Sequence, residues 1–192
     1  MNRTLFLCGV AAVAGASFLA TGALEAREQE IGGVKYNFSS QPWTLDKKYL
    51  PRKVEYTSDE RPGTIIINTR RKFLYLILGN DRAMRYGIGV GRYGFKWSGT
   101  ERISRKAKWP DWIPPAEMRA REPDLPERMP GGPNNPLGAR ALYLGNTLYR
   151  IHGTSQPWTI GSAVSSGCIR MRNEDVEDLY NKVKIGNKVV VK

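Results

Sequence analysis

Histidine is almost absent from this chain: His152 is the only one in 192 residues. Cysteine is nearly as scarce, with Cys8 near the start and Cys168 far downstream. Structural zinc needs about four nitrogen or sulfur ligands and catalytic zinc about three protein ligands, so so small a set argues against either. No metal or other cofactor is expected. No pair of carboxylates stands out as an acid–base couple, and there is no internal repeat or low-complexity tract. The one long apolar run is 4–20.

That run follows Arg3 and leads into small residues between Ala20 and Ala26. A positive start, an apolar stretch and a small-residue exit make a secretory signal peptide, expected at 1–26 with cleavage after Ala23 or Ala26. The alternative is a membrane anchor, for which about 17–20 residues is a borderline length; the small residues favour cleavage. Cys8 does not suit lipid attachment, because Leu7 precedes it and the apolar run continues beyond it. Once the leader is removed, one cysteine remains and no intramolecular disulfide can form. Exported domains usually pair their cysteines. A lone thiol in that setting is buried or used. Cys168 follows Ser165-Ser166-Gly167, a loop-like stretch and not an apolar strand, which points to use.

A thiol nucleophile needs a base to take its proton and later return it to a leaving amine. The single candidate is His152, in Arg150-Ile151-His152-Gly153-Thr154. No Asp, Glu or Asn adjoins it, so a backbone carbonyl is expected to hold its second nitrogen. Gly167 lets the chain bend before the thiol, and the N–H groups of Gly167 and Cys168 are the expected oxyanion donors.

About 165 residues remain after the leader, enough for one well-packed core. There are 30 Lys+Arg against 18 Asp+Glu, a net charge of +12. Such a surface attracts polyanions. For an exported protein, carboxylate-bearing wall polymer and anionic headgroups are more accessible than nucleic acid. Residues 27–62 are polar and read as an extension wrapping the domain. Short β-branched or aromatic runs at Thr64–Asn68, Lys72–Leu78 and Ala83–Val90, separated by turns, read as a β-meander. Ala141–Leu144 and Thr147–His152 read as a hairpin with Gly145-Asn146 as a two-residue turn. Asn173 reads as an N-cap, and Val176, Leu179, Tyr180 and Val183 mark an amphipathic helix before a last strand at Lys188–Val191. Between Tyr93 and Leu137 no period is visible. This segment carries Trp97, Trp109 and Trp112 and most of the prolines, and reads either as a lid walling a substrate cleft or as a packed loop. Gly87-Ile-Gly-Val-Gly91 is a poor dinucleotide fingerprint, since its spacing is wrong and no amphipathic helix follows.

His152-Gly-Thr followed by Ser-Ser-Gly-Cys-Ile-Arg-Met resembles the signature of the L,D-transpeptidases of the YkuD family (the ErfK/YbiS/YcfS/YnhG type). The resemblance covers about 63–192, including Pro136-Leu-Gly138 and Val189-Val-Val191. It implies a mainly β fold, a sandwich of mixed sheets with a short C-terminal helix, to which the sequence adds a long Trp/Pro-rich lid. It implies a periplasmic, Gram-negative-type enzyme acting on peptidoglycan stem peptides. Cys168 would attack the bond between diaminopimelate and D-Ala, form a thioester and pass the acyl group to an amine. That amine would belong to another stem peptide or to an outer-membrane protein. By the same resemblance Gly153 supplies the carbonyl that orients His152, and Arg170 holds a substrate carboxylate or braces the thiol loop. Ser166, Thr154, Trp109 and Trp112 are further candidates for substrate contact. Ser166 stands where family members carry a second histidine. The alternatives are a hydrolase on the same scaffold that releases wall-attached proteins, and a non-catalytic wall-binding module. The acceptor and the oligomeric state are not legible.

Overall fold

A computed structural model describes residues 27–31, 34–38, 44–93 and 97–192. The leader expected at 1–26, with Cys8, lies outside the described residues. β1 (Arg27–Ile31) and β2 (Val34–Phe38) pair with each other, antiparallel. The remaining strands are β3 (Arg52–Glu55), β4 (Ile65–Asn68), β5 (Phe73–Gly79), β6 (Arg82–Gly87), β7 (Val90–Gly91), β8 (Gly99–Lys108), β9 (Arg140–Leu144), β10 (Arg150–His152), β11 (Ala163–Ser165), β12 (Ile169–Arg170) and β13 (Lys188–Val191). Among the described residues two α-helices accompany them, α1 (Ala116–Arg121) and α2 (Asn173–Lys182).

Nine strands hydrogen-bond in the order β12-β10-β9-β8-β13-β4-β5-β6-β3. The pairs β10/β12 and β13/β4 are parallel and the others antiparallel, so the sheet is mixed. One core unites its two halves: Ile65, Leu74 and Tyr86 from one side bury with Leu142, Ile151 and Ile169 from the other, and Val176 and Leu179 of α2 join them. The sheet is thus folded on itself as a sandwich. β4 is apolar on both faces. Ile65 and Ile67 enter this core, while Ile66 packs with Tyr75, Ile77 and Ala83 on the opposite face, the pattern of a doubly covered strand.

The meander β4-β5-β6 turns tightly at Asn80-Asp81, both at φ 51°, the left-handed geometry of a type I′ hairpin. The polar extension contributes β3, which pairs with β6 at the sheet edge.

Three sequence expectations need correction. The segment after Tyr93 is not patternless, because β8 runs through the middle of the sheet with only Ile103 buried. Its charges hid it: Lys106 reaches over to donate to the Tyr180 and Val183 carbonyls at the end of α2, at 2.7 and 2.6 Å. The β9–β10 hairpin turns through four residues, not two; the Leu144 N–H donates to the Tyr149 carbonyl, and Thr147 caps Leu144 through both its N–H and its hydroxyl. The N-cap of α2 is Arg172, not Asn173. Arg172 is held by a bidentate pair with buried Asp175, and the Asn173 side chain is used elsewhere.

Candidate active site

β10 and β12 lie side by side with Ile151 opposite Ile169 and His152 opposite Arg170. Both isoleucines enter the core. Side chains alternate along a strand, so Arg150, His152, Cys168 and Arg170 share the opposite face. Cys168 precedes Ile169 and stands beside Arg150. The thiol and the imidazole are therefore diagonal neighbours on adjacent strands, about 8 Å apart at Cα from strand spacing and rise. β12 is the last strand in the sheet order, and Gly89 locks its outer edge through two 2.9 Å bonds with the Arg170 backbone.

His152 is 4% exposed. Its Nδ1 is 2.6 Å from the Gly153 carbonyl. A carbonyl only accepts, so Nδ1 carries the hydrogen and Nε2 is left with a lone pair. Burial, then the Arg170 charge and more weakly that of Arg150, push its pKa down to about 3 against the pull of the Gly153 bond. The imidazole is a neutral base. Its backbone is fixed by Asn173, whose Oδ1 accepts from the N–H groups of Ala139 (3.0 Å) and Thr154 (3.2 Å). Gly138 and Gly153 flank that oxygen so closely that a Cβ on either would run into it.

Cys168 is half-buried and free. Its Sγ lies 3.8 Å from the Leu148 carbonyl. Burial pushes the thiol pKa up, while the Arg150 charge, the Arg150 N–H and guanidinium at the sulfur, and the Arg170 charge pull the other way. The resting pair is a neutral thiol near a neutral imidazole. The loop before it is braced internally: Ser165 Oγ donates to the Cys168 carbonyl at 2.6 Å and accepts from the Gly167 N–H at 3.2 Å. Gly167 has φ +102°, which L side chains rarely adopt. Trp97 Nε1 donates to the Gly167 carbonyl at 3.0 Å, and the Trp97 ring stacks on Tyr149 at 4.4 Å and 6°.

The expected residues divide accordingly. Cys168, His152 and Arg170 share one face, and Arg170 also bonds Gln156 at 3.2 Å. The Gly167 N–H is taken by Ser165, which leaves that of Cys168 as the candidate oxyanion donor. Thr154 does not face a cleft: it is 3% exposed, and its hydroxyl accepts from the Gln156 N–H. Ser166 is half-buried. Trp109 and Trp112 are anchored elsewhere. Trp109 follows β8 and donates to Ala139, four positions and about 13 Å of strand from Arg105 in the thiol's row. Trp112 bridges Met129, and Asp111 ties Arg128 and Gly131, so this segment closes on its own neck. Sequence reasoning missed Arg150, Ser165, Trp97 and Asn173. Period-two alternation from His152 would have found Arg150. The other three depend on contacts that no local pattern announces.

Among the described residues, no group of three His, Cys, Asp or Glu side chains could hold a metal ion. The glycine run 87–91 lies along β6 and β7, and Gly89 packs on the Thr159 backbone and Arg170, so it opens no helix.

The model of the L,D-transpeptidase catalytic domain, YkuD, matches residues 62–191. The chain is 36% identical to the probable L,D-transpeptidase YbiS of Escherichia coli (strain K12) over 148 residues, 73% of this chain and 47% of that protein. It thus spans about half the length of the curated relatives it matches. A solved Brucella melitensis structure, described as a probable carnitine operon oxidoreductase, is 49% identical with a TM-score of 0.52, covering 77% of this chain and 96% of that one. The catalytic domain of an Enterococcus faecium L,D-transpeptidase, solved as its ertapenem acyl-enzyme, shares the fold. Its TM-score is 0.54 at 16% identity, over 70% of this chain and 100% of that one.

Proposed function

The chain belongs to the family of L,D-transpeptidase catalytic domains, and on that premise we propose that it is a peptidoglycan L,D-transpeptidase with Cys168 as nucleophile and His152 as base. The substrate is a tetrapeptide stem, cut between diaminopimelate and D-Ala. His152 Nε2 takes the thiol proton as sulfur attacks the carbonyl carbon. The oxyanion that forms is met by the Cys168 N–H. The C–N bond then breaks, and the imidazolium returns the proton to the departing amine of D-Ala. A thioester remains. An acceptor amine attacks it, gives its proton to His152 and expels the thiolate, which is reprotonated. The acceptor is a second stem peptide, giving a 3→3 link, or the amine of an outer-membrane protein.

The observation that carries this reading is the parallel register of β10 and β12, which sets the chain's one imidazole and its thiol on one face of adjacent strands. A base held neutral by burial supports it, since a protonated imidazole could not take the proton. Arg170, beside His152 and close to the thiol, suits a substrate carboxylate. The basic charge of the chain suits an anionic polymer, and with the apolar leader segment it supports a periplasmic site of action. The name of the Brucella relative finds no support here, because the glycine run lacks the strand-turn-helix that cradles a dinucleotide.

The test is mass spectrometry of the intact protein with a tetrapeptide stem or a carbapenem. Wild type gains the acyl mass and Cys168→Ala does not, while both give the same circular dichroism. An adduct on Cys168→Ala would end the assignment. Release of free tripeptide in place of cross-linked product would select the hydrolase.

A further inference from the structure

A thiolate in a buried site gains most from a nearby positive charge, and the imidazole that takes its proton here is buried and neutral at rest. No second histidine exists in the chain. The register shows what stands beside the sulfur. Arg105 of β8 is opposite Tyr143 of β9, and Tyr143 is opposite Arg150 of β10. Cys168, at the entrance to β12, is next in the same row. Four neighbouring strands thus carry Arg105, Tyr143, Arg150 and Cys168 across one face. The Arg105 guanidinium lies 3.5 Å from the Tyr143 ring centroid, and that of Arg150 lies 5.4 Å from it. The Arg150 Nε is buried with no partner, so no carboxylate claims this side chain by that atom. The neighbouring row holds Ala107, Ala141, His152 and Arg170. Each row therefore sets one arginine beside one reacting group.

We propose that Arg150 is the counterion of the Cys168 thiolate, and that the Tyr143 ring, gripped by Arg105 on the neighbouring strand, aims it. Arg170 stands beside His152 in the other row, where its charge adds to the burial that keeps the imidazole unprotonated. Arg150 is next to Cys168 in the row, placed to meet the reacting sulfur, and would act as a catalytic group; Tyr143 and Arg105 are positioning residues. Stacking on an aromatic face suits a planar guanidinium far better than an ammonium. The ring leaves the guanidinium edge free to meet sulfur. The inference deepens the thiol chemistry proposed above and rests on it.

The experiment reads the thiol without any wall substrate. The intact protein is alkylated with iodoacetamide across a pH series, and modification of Cys168 is followed by peptide mass spectrometry. Loss of a cation this close raises a thiol pKa by about one unit or more. A less acidic thiol gives a thiolate roughly threefold more nucleophilic, from a Brønsted slope of about 0.4–0.5. Arg150→Met should therefore alkylate about threefold more slowly near neutrality and about threefold faster on the alkaline plateau. The two profiles cross, which a merely loosened site would not produce. Arg150→Lys should lie between, Tyr143→Phe should follow wild type, and Tyr143→Leu should shift part of the way. A profile for Arg150→Met that overlays wild type overturns the proposal. So does an equal shift in Arg150→Lys and Arg150→Met, since charge would then be irrelevant. Acylation by a carbapenem, measured separately, tests the transpeptidase reading, so either can fail alone.

Discussion

Asn173 offers the most demanding test of how the imidazole is held. Its Oδ1 is the acceptor for two main-chain donors, Ala139 N–H and Thr154 N–H, at 3.0 and 3.2 Å. Replacing it by Ala leaves both partly buried donors without that acceptor. An unsatisfied buried donor costs about 1–3 kcal/mol, and partial exposure places each in the lower half of that range. The helix propensity of Ala returns about half a kcal/mol. The net loss is about 1.5–3.5 kcal/mol. A domain of this size loses about 2–4 °C for each kcal/mol, so the melting midpoint should fall by about 5–10 °C. Asn173→Asp retains an acceptor at the first turn of α2, where negative charge is favoured, and should stay within about 1 kcal/mol of wild type. Urea titration followed by circular dichroism gives both numbers. Asn173→Ala should also slow carbapenem acylation beyond its stability loss, because Gly153, whose carbonyl orients His152, directly precedes Thr154. A loss below about 1 kcal/mol for Asn173→Ala, or equal losses for Ala and Asp, would refute the argument.

The other predictions concern the pair and its loop. His152 is neutral in the fold, with its pKa pushed down to about 3, whereas an unfolded histidine titrates near 6.5. The unfolded chain therefore binds the extra proton between those values, and stability should fall with pH below about 6.5, by up to about 1.4 kcal/mol per unit. Denaturation at several pH values should show that component in wild type and not in His152→Gln. Ser166→Ala should slow acylation far less than His152→Ala, since a hydroxyl is no general base near neutrality; equal losses would reveal a direct role for Ser166. Trp97→Phe retains a ring against Tyr149 but loses the bond to the Gly167 carbonyl, at a cost of about 1 kcal/mol. Stopped-flow acylation should slow severalfold in that variant, and an unchanged rate would show that the thiol loop needs no such tether.

The candidate pair was more legible than its support. Scarcity left Cys168 and His152 as the one pairing to propose, and turn residues at 69–71 and 79–81 exposed the meander. α2 was legible from its apolar period, since Val176 and Leu179 are the apolar residues it buries. β8 was not, because a central strand whose charges reach outward or over a helix end carries no apolar alternation. The true reach of Asn173 was hidden by its own plausibility as a cap: the same oxygen that could bond its helix bonds Ala139 and Thr154 instead. Arg150 was readable in principle, two residues before His152 on a strand. Trp97 and Ser165 act through a backbone carbonyl and a hydroxyl whose partners depend on the tertiary turn at Gly167.

β13 has only four residues, yet it joins the halves of the sheet, antiparallel to β8 and parallel to β4. It is also the last of the sheet's strands to be synthesised. Until it docks, the meander β4-β5-β6 and the half that carries His152 and Cys168, β8-β9-β10-β12, each expose a bare edge where its neighbours should meet, and the shared core cannot close. Long-range pairing of this kind is slow. The chain thus passes through a stage with Cys168 synthesised, its two sheet halves open and its apolar faces unprotected, when edge-to-edge association is the chief hazard. Folding quality in this protein should be decided at that closing strand, far in sequence from the first strand it must find.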